Sequence, residues 1–92
     1  MKDRMTPEKA EILALEALAW LAGQTDGMDR FLAASGLEPA DLRRVAGDRD
    51  LLGSLLDFLL ANELLLLDFC EAASIKPQTI HLARHRLEMP CG

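Results

Sequence analysis

The sequence predicts an all-α protein: a compact bundle of five or six short helices, with a helix-turn-helix-like corner used twice. Three observations carry that expectation. Leucine and alanine supply most of the apolar residues, while aromatics are limited to Trp20, Phe31, Phe58 and Phe69, a balance that favours helices over strands. Apolar residues recur at helical spacing through the longest apolar stretch, Leu51 to Ala73. No segment alternates apolar and polar residues as a half-buried strand would.

The chain of 92 residues is the size of one domain, and half of it is apolar, enough for one modest core. Residues 1–5 read as a flexible tail, residues 6–89 as a single helical domain and residues 90–92 as a second tail. Thr6, followed by Pro7 and Glu8, has the composition of a helix start. The helix it opens carries one charge, Glu16, between Ile12 and Ala22, which marks it as a core helix. Gly23 is expected to end it in the left-handed conformation. Trp20, near that end, reads as a core or edge-of-core residue, or more sharply as an anchor for a partner.

A second helix should start at Thr25 or Asp26, bury Met28, Phe31 and Leu32, and stop at Ser35-Gly36. Pro39 opens a short third helix with Leu42 and Val45 inward, closed by Gly47. Asp48 or Asp50 caps the next, which leads into the central stretch. There Leu52, Leu55, Leu56, Leu59 and Leu60 share one face, and Leu66, Phe69, Cys70 and Ala73 repeat the pattern, with Ser54, Asp57, Asp68 and Glu71 opposite. As one rod this stretch would be about 33 Å long, so a break near Ala61 and Asn62 is favoured over a continuous helix. Asn62 followed by Glu63 resembles a cap with a carboxylate in the first turn. Asp57, Glu63 and Asp68 make the stretch too polar to cross a bilayer. Pro77 begins a last helix to about Glu88, and Met89-Pro90 ends it.

Two segments echo each other at an offset of 38 residues, FLAASGLEPADL from Phe31 and FCEAASIKPQTI from Phe69. Each reads as a helix, a turn with one buried aliphatic (Leu37 or Ile75), and a helix starting at proline. The second copy is similar to the helix-turn-helix of bacterial regulators, with Cys70, Ser74, Ile75 and Ile80 in the structural positions. Its last helix would then present Gln78, His81, Arg84, His85 and Glu88, with Ile80, Ala83 and Leu87 inward. Gln, His and Arg are side chains able to reach base edges.

The charge balance disfavours nucleic acid. The net charge is −5, and Met1 to Ala73 holds seven Lys/Arg against fourteen Asp/Glu. In the C-terminal segment only Lys76, Arg84 and Arg86 could meet phosphates, and the turn glycine is replaced by Ser74. His81 and His85, four apart, could share a metal with Cys91, but nothing supplies a fourth ligand, so no metal or cofactor is expected. Two cysteines make no disulfide framework, and Cys70 reads as a buried thiol. No phosphate loop, no Ser-His-Asp or Cys-His spacing and no signal peptide is visible, so the chain is expected to be cytoplasmic and not an enzyme.

Two motifs, DRFLAASGLEPADLRR (Asp29 to Arg44) and LLDFLLANELLLLDFCEAASIKP (Leu55 to Pro77), together resemble a family of short proteobacterial proteins catalogued as domain of unknown function 3572. The resemblance covers most of the chain after Thr6. It implies an all-helical cytoplasmic bacterial protein without assigned activity, and it supplies no catalytic or binding residues.

The functional expectation is therefore a non-enzymatic protein-interaction domain, with a homodimer as one form. The first helix and the run Leu64–Leu67 are apolar on nearly every side, more than one small core should cover. The candidate interaction residues are Trp20, Gln78, His81, Arg84 and His85. The alternative is a DNA-binding regulator using the corner at residues 69–88.

Overall fold

A computed structural model describes residues 5–88 of the chain. Among them are six α-helices: α1 (Pro7–Ala22), α2 (Gly27–Ser35), α3 (Leu42–Gly47), α4 (Arg49–Ala61), α5 (Glu63–Ala73) and α6 (Pro77–Glu88). A single 3-10 turn, Pro39–Asp41, leads into α3, and no strand occurs among the described residues. The helix stop expected at Met89-Pro90 and the tail residues 1–4 and 90–92 lie outside the described residues. Met5, placed with the tail by sequence, packs against the core, and its backbone carbonyl accepts the Arg86 Nε hydrogen at 2.8 Å.

Local chemistry sets most helix ends. The Thr6 hydroxyl accepts the Lys9 amide at 3.1 Å, with Pro7 in the first turn. Asp48 caps α4 by accepting the amides of Asp50 and Leu51 at 2.9 and 3.3 Å. The central stretch breaks at Asn62, as favoured, but Asn62 does not cap α5 with its side chain. Its backbone leaves the helical region (φ −122°, ψ 87°), and its amide is used the other way. Nδ2 donates to the Phe58 carbonyl at 2.7 Å, and Oδ1 accepts from Arg30 of α2 at 2.9 Å. The break is thus held by a clamp from α2 rather than by a cap.

Gly23 departs from expectation. Its φ of −87° is right-handed, and the α1 end tightens through the Gly23 and Gln24 amides, which donate to Trp20 and Leu21 carbonyls at 3.0 Å. The left-handed residues are instead Gly36 (φ 76°) and Ser74 (φ 58°). These stand 38 residues apart, so both copies of the echo turn at the equivalent position. Gly36 donates to the Leu32 carbonyl at 2.9 Å. Ser74 and Ile75 donate to Glu71 and Cys70 at 3.3 and 2.9 Å, a fuller satisfaction of the helix end. Beyond the corner the copies diverge. Pro39 starts a 3-10 turn and a six-residue helix, whereas Pro77 starts the twelve-residue α6.

Helix α4 sits at the centre, packed against α1, α2, α3, α5 and α6, and α1 and α6 also pack on each other. The core is Ala10, Leu13, Ala14, Ala17 and Leu21 of α1, Phe31, Val45, the α4 residues Leu52, Leu55, Leu56, Phe58 and Leu59, then Leu66, Phe69, Cys70, Ile80, Ala83 and Leu87. Alanines on α1 let α4 and α6 approach closely. Met28, Leu32 and Leu42, expected inward, are only half-buried. Among the described residues no polar side chain is buried, so the core is held by apolar burial, at about 1.5–3 kcal/mol per fully buried leucine or phenylalanine. The radius of gyration, 12.5 Å, matches the roughly 12 Å of a compact chain this long, so no helix protrudes as a rod.

Candidate functional site

The residues singled out by sequence fall on two helices and differ in availability. Trp20, at the end of α1, is half-buried, with its ring tilted against Phe69 of α5 at 5.5 Å between centroids. It seals the edge of the core. Gln78, His81 and His85 are exposed along α6, while Ile80, Ala83 and Leu87 face inward, so the inside and outside of α6 match the sequence pattern.

Arg84 is not part of that open row. Its Nε donates to Asp57 of α4 at 2.7 Å, and its guanidinium lies where a Cβ on Gly53 would be 3.3 Å from a terminal nitrogen. The hydrogen bond to Asp57 raises its pKa, opposed by desolvation and assisted by the fields of Asp57, Glu88 and Asp50. Arg84 thus ties α6 to α4 inside an acidic neighbourhood. Of the other two cations available to phosphate, Arg86 donates to the Met5 carbonyl. His81 and His85 share a face of α6, while Cys91 lies outside the described residues. Among the described residues no three metal-ligating side chains come together.

Two surface features lie apart from those residues, and only the first had no signal in the sequence. The first is a groove of about 370 Å³ between α2, its corner and α4. Phe31, Leu37, Leu51 and Phe58 line it with Ser54, Asp57 and Asn62. Its polar side chains are already engaged: Ser54 donates to the Asp50 carbonyl, Asp57 accepts from Arg84, and Asn62 is clamped by Arg30. The groove therefore offers an apolar surface with few unmet polar groups.

The second feature is the outer face of α5. Leu64 is 81% exposed and Leu67, one turn on, is 45% exposed. The same helix buries Leu66, Phe69 and Cys70 on its inner side, and burial raises the Cys70 thiol above its ordinary pKa of 9.0. Ile12 and Leu15 on α1 and Leu82 on α6 are also exposed, at 56%, 37% and 44%. The surplus apolar surface expected of α1 and of Leu64–Leu67 is therefore present, with its most exposed member on α5. Leu64 stands four residues before Asp68 and seven before Glu71, so helical periodicity puts it on the outer, polar side of α5, away from Leu66 and Phe69.

Among the described residues no helix is long and apolar enough to cross a membrane. No curated protein and no solved structure matches the chain. A family model does, over residues 7–90, a span that includes both corners, α4 and α5. The chain belongs to that family, the proteins of unknown function DUF3572.

Proposed function

We propose that this chain is a non-enzymatic, cytoplasmic protein-interaction domain whose contact surface is the outer face of α5. The observation that carries the reading is Leu64 at 81% exposure with Leu67 beside it, on a helix whose inner face is already fully used by the core. Covering Leu64 contributes about 1.5–3 kcal/mol to association, and covering the rest of the already half-covered Leu67 about half as much, enough to make Leu64 the anchor of a small interface. Trp20 stiffens the platform from beneath through Phe69, rather than meeting the partner itself.

The DNA-binding reading has less support. In its favour, Ser74 turns the corner with a left-handed backbone, and Gln78, His81 and His85 are exposed. Yet Arg84 is held by Asp57, and acidic side chains surround it where a phosphate would have to come.

A photo-crosslinking residue placed at Leu64 in the native cell tests the reading, with Ala40, an exposed residue of the 3-10 turn, as the control position. The reading predicts a discrete protein adduct at position 64 that is absent at position 40. Equal, diffuse labelling at both positions would contradict it.

A further inference from the structure

We infer that the outer face of α5 docks a basic amphipathic helix of another protein, and not a second copy of this chain; the inference rests on the reading of α5 as a contact surface. From Asp50 to Ile75 the sequence contains no Lys, Arg or His, and α5 carries Glu63, Asp68 and Glu71. All three are exposed. Unlike Asp57, Asp41 and Glu11, which pair with Arg84, Arg44 and Arg49, none of the three has an ion-pair partner among the described residues.

The register organises these groups. Leu64, Leu67, Asp68 and Glu71 follow i, i+3, i+4, i+7, so they form one stripe with leucines at its N-terminal end and carboxylates at its C-terminal end. Arg30 reaches Asn62, beside Glu63. Asp68 and Glu71 lie about 9 and 14 Å further along the axis at 1.5 Å per residue. The complement of this stripe is a helix with aliphatic side chains on one turn and Lys or Arg on the next.

A second copy is a poor fit. Centring an antiparallel two-fold pairing on Leu64 and Leu67 sets Glu63 of each copy against Asp68 of the other, like charge on like. Nor does α6 of another copy supply the cations, because Arg84 and Arg86 are engaged within their own fold.

The test uses two fluorescein-labelled amphipathic 18-residue helical peptides, one of Leu and Lys and one of Leu and Glu. Each is titrated with the full chain by anisotropy at low and moderate salt. The Leu/Lys peptide should bind, more weakly as salt rises, and the Leu/Glu peptide should not. Leu64→Ser, at an exposed position that leaves the core intact, and the pair Asp68→Lys with Glu71→Lys should each weaken binding at least tenfold. The pair Glu8→Lys with Glu16→Lys, on α1, should weaken it less than threefold. Equal weakening by the α1 and α5 charge reversals, or binding untouched by Leu64→Ser, would overturn the inference. Sedimentation equilibrium separates the two levels. A dimer abolished by Leu64→Ser would keep α5 as the contact surface and remove the basic partner. Neither dimer nor peptide binding through Leu64 would remove both.

Discussion

Arg84 of α6 and Asp57 of α4 are joined by a 2.7 Å hydrogen bond that runs past Gly53, the residue whose missing side chain leaves room for the guanidinium. The pair spans 27 residues of sequence and locks the last helix onto the central one. Asp57 is 55% exposed and Arg84 28%, so the ion pair itself is screened by solvent. Asp57→Ala should therefore cost under about 1 kcal/mol in urea denaturation. Arg84→Ala should cost more, about 1–2 kcal/mol, because the side chain also packs over Gly53. Gly53→Leu, which fills that space, should cost about 1–3 kcal/mol. An Arg84→Ala variant as stable as the parent would show the contact to be idle.

The two corners give opposite predictions at equivalent positions. Ser74 pays for a left-handed backbone (φ 58°) that glycine adopts freely, so Ser74→Gly should stabilise by about 0.5–1 kcal/mol. Gly36 has φ 76° and open space around it, so Gly36→Ala should destabilise by about 1 kcal/mol through backbone strain alone. Denaturation midpoints of the two variants moving in the same direction would contradict the shared corner geometry.

What the sequence disclosed follows from the range of the forces involved. Thr6-Pro7, Asp48 and Pro77 act within one helical turn, so they mark helix ends without knowledge of the rest of the fold. The echo around Phe31 and Phe69 identified both corners because each repeats a local solution. Gly23 misled because glycine permits the left-handed cap without requiring it, and there the helix end tightens instead. Arg84 was read as a surface side chain because its partner is distant in sequence, and only the packing of α6 on α4 brings Asp57 to it. The outward face of α5 was legible in part: the surplus of apolar surface at Leu64–Leu67 and the register of Leu64 with Asp68 and Glu71 can be read locally, whereas how much of each leucine is covered depends on the neighbouring helices.

Leucines that look alike in sequence should therefore differ sharply in energy. Leu59, fully buried on α4, should cost about 2–5 kcal/mol when changed to alanine. Leu64→Ala should stay within about 0.5 kcal/mol of the parent. Similar losses at the two positions, measured by urea denaturation, would mean that α5 is packed on both sides.

Cys70 makes a prediction about pH. Burial raises its pKa above 9.0, so the folded state keeps the proton that the unfolded chain releases. The stability this contributes is fully present below pH 9.0 and is lost as pH rises through the folded-state value. In a Cys91→Ser background, denaturation between pH 8 and 10.5 should show a decline that Cys70→Ala flattens. An unchanged slope in Cys70→Ala would assign the decline to other groups.

Leu64 of α5 open to water while Leu59 of α4 is fully buried is the claim on which the functional reading stands. Thiol labelling measures it directly, with Leu64→Cys and Leu59→Cys each placed in a Cys91→Ser chain. The predicted result is that the cysteine at 64 reacts in the native protein as fast as in a free peptide, while those at 59 and 70 react only on unfolding. A cysteine at 64 protected to the same degree as one at 59 would contradict the account.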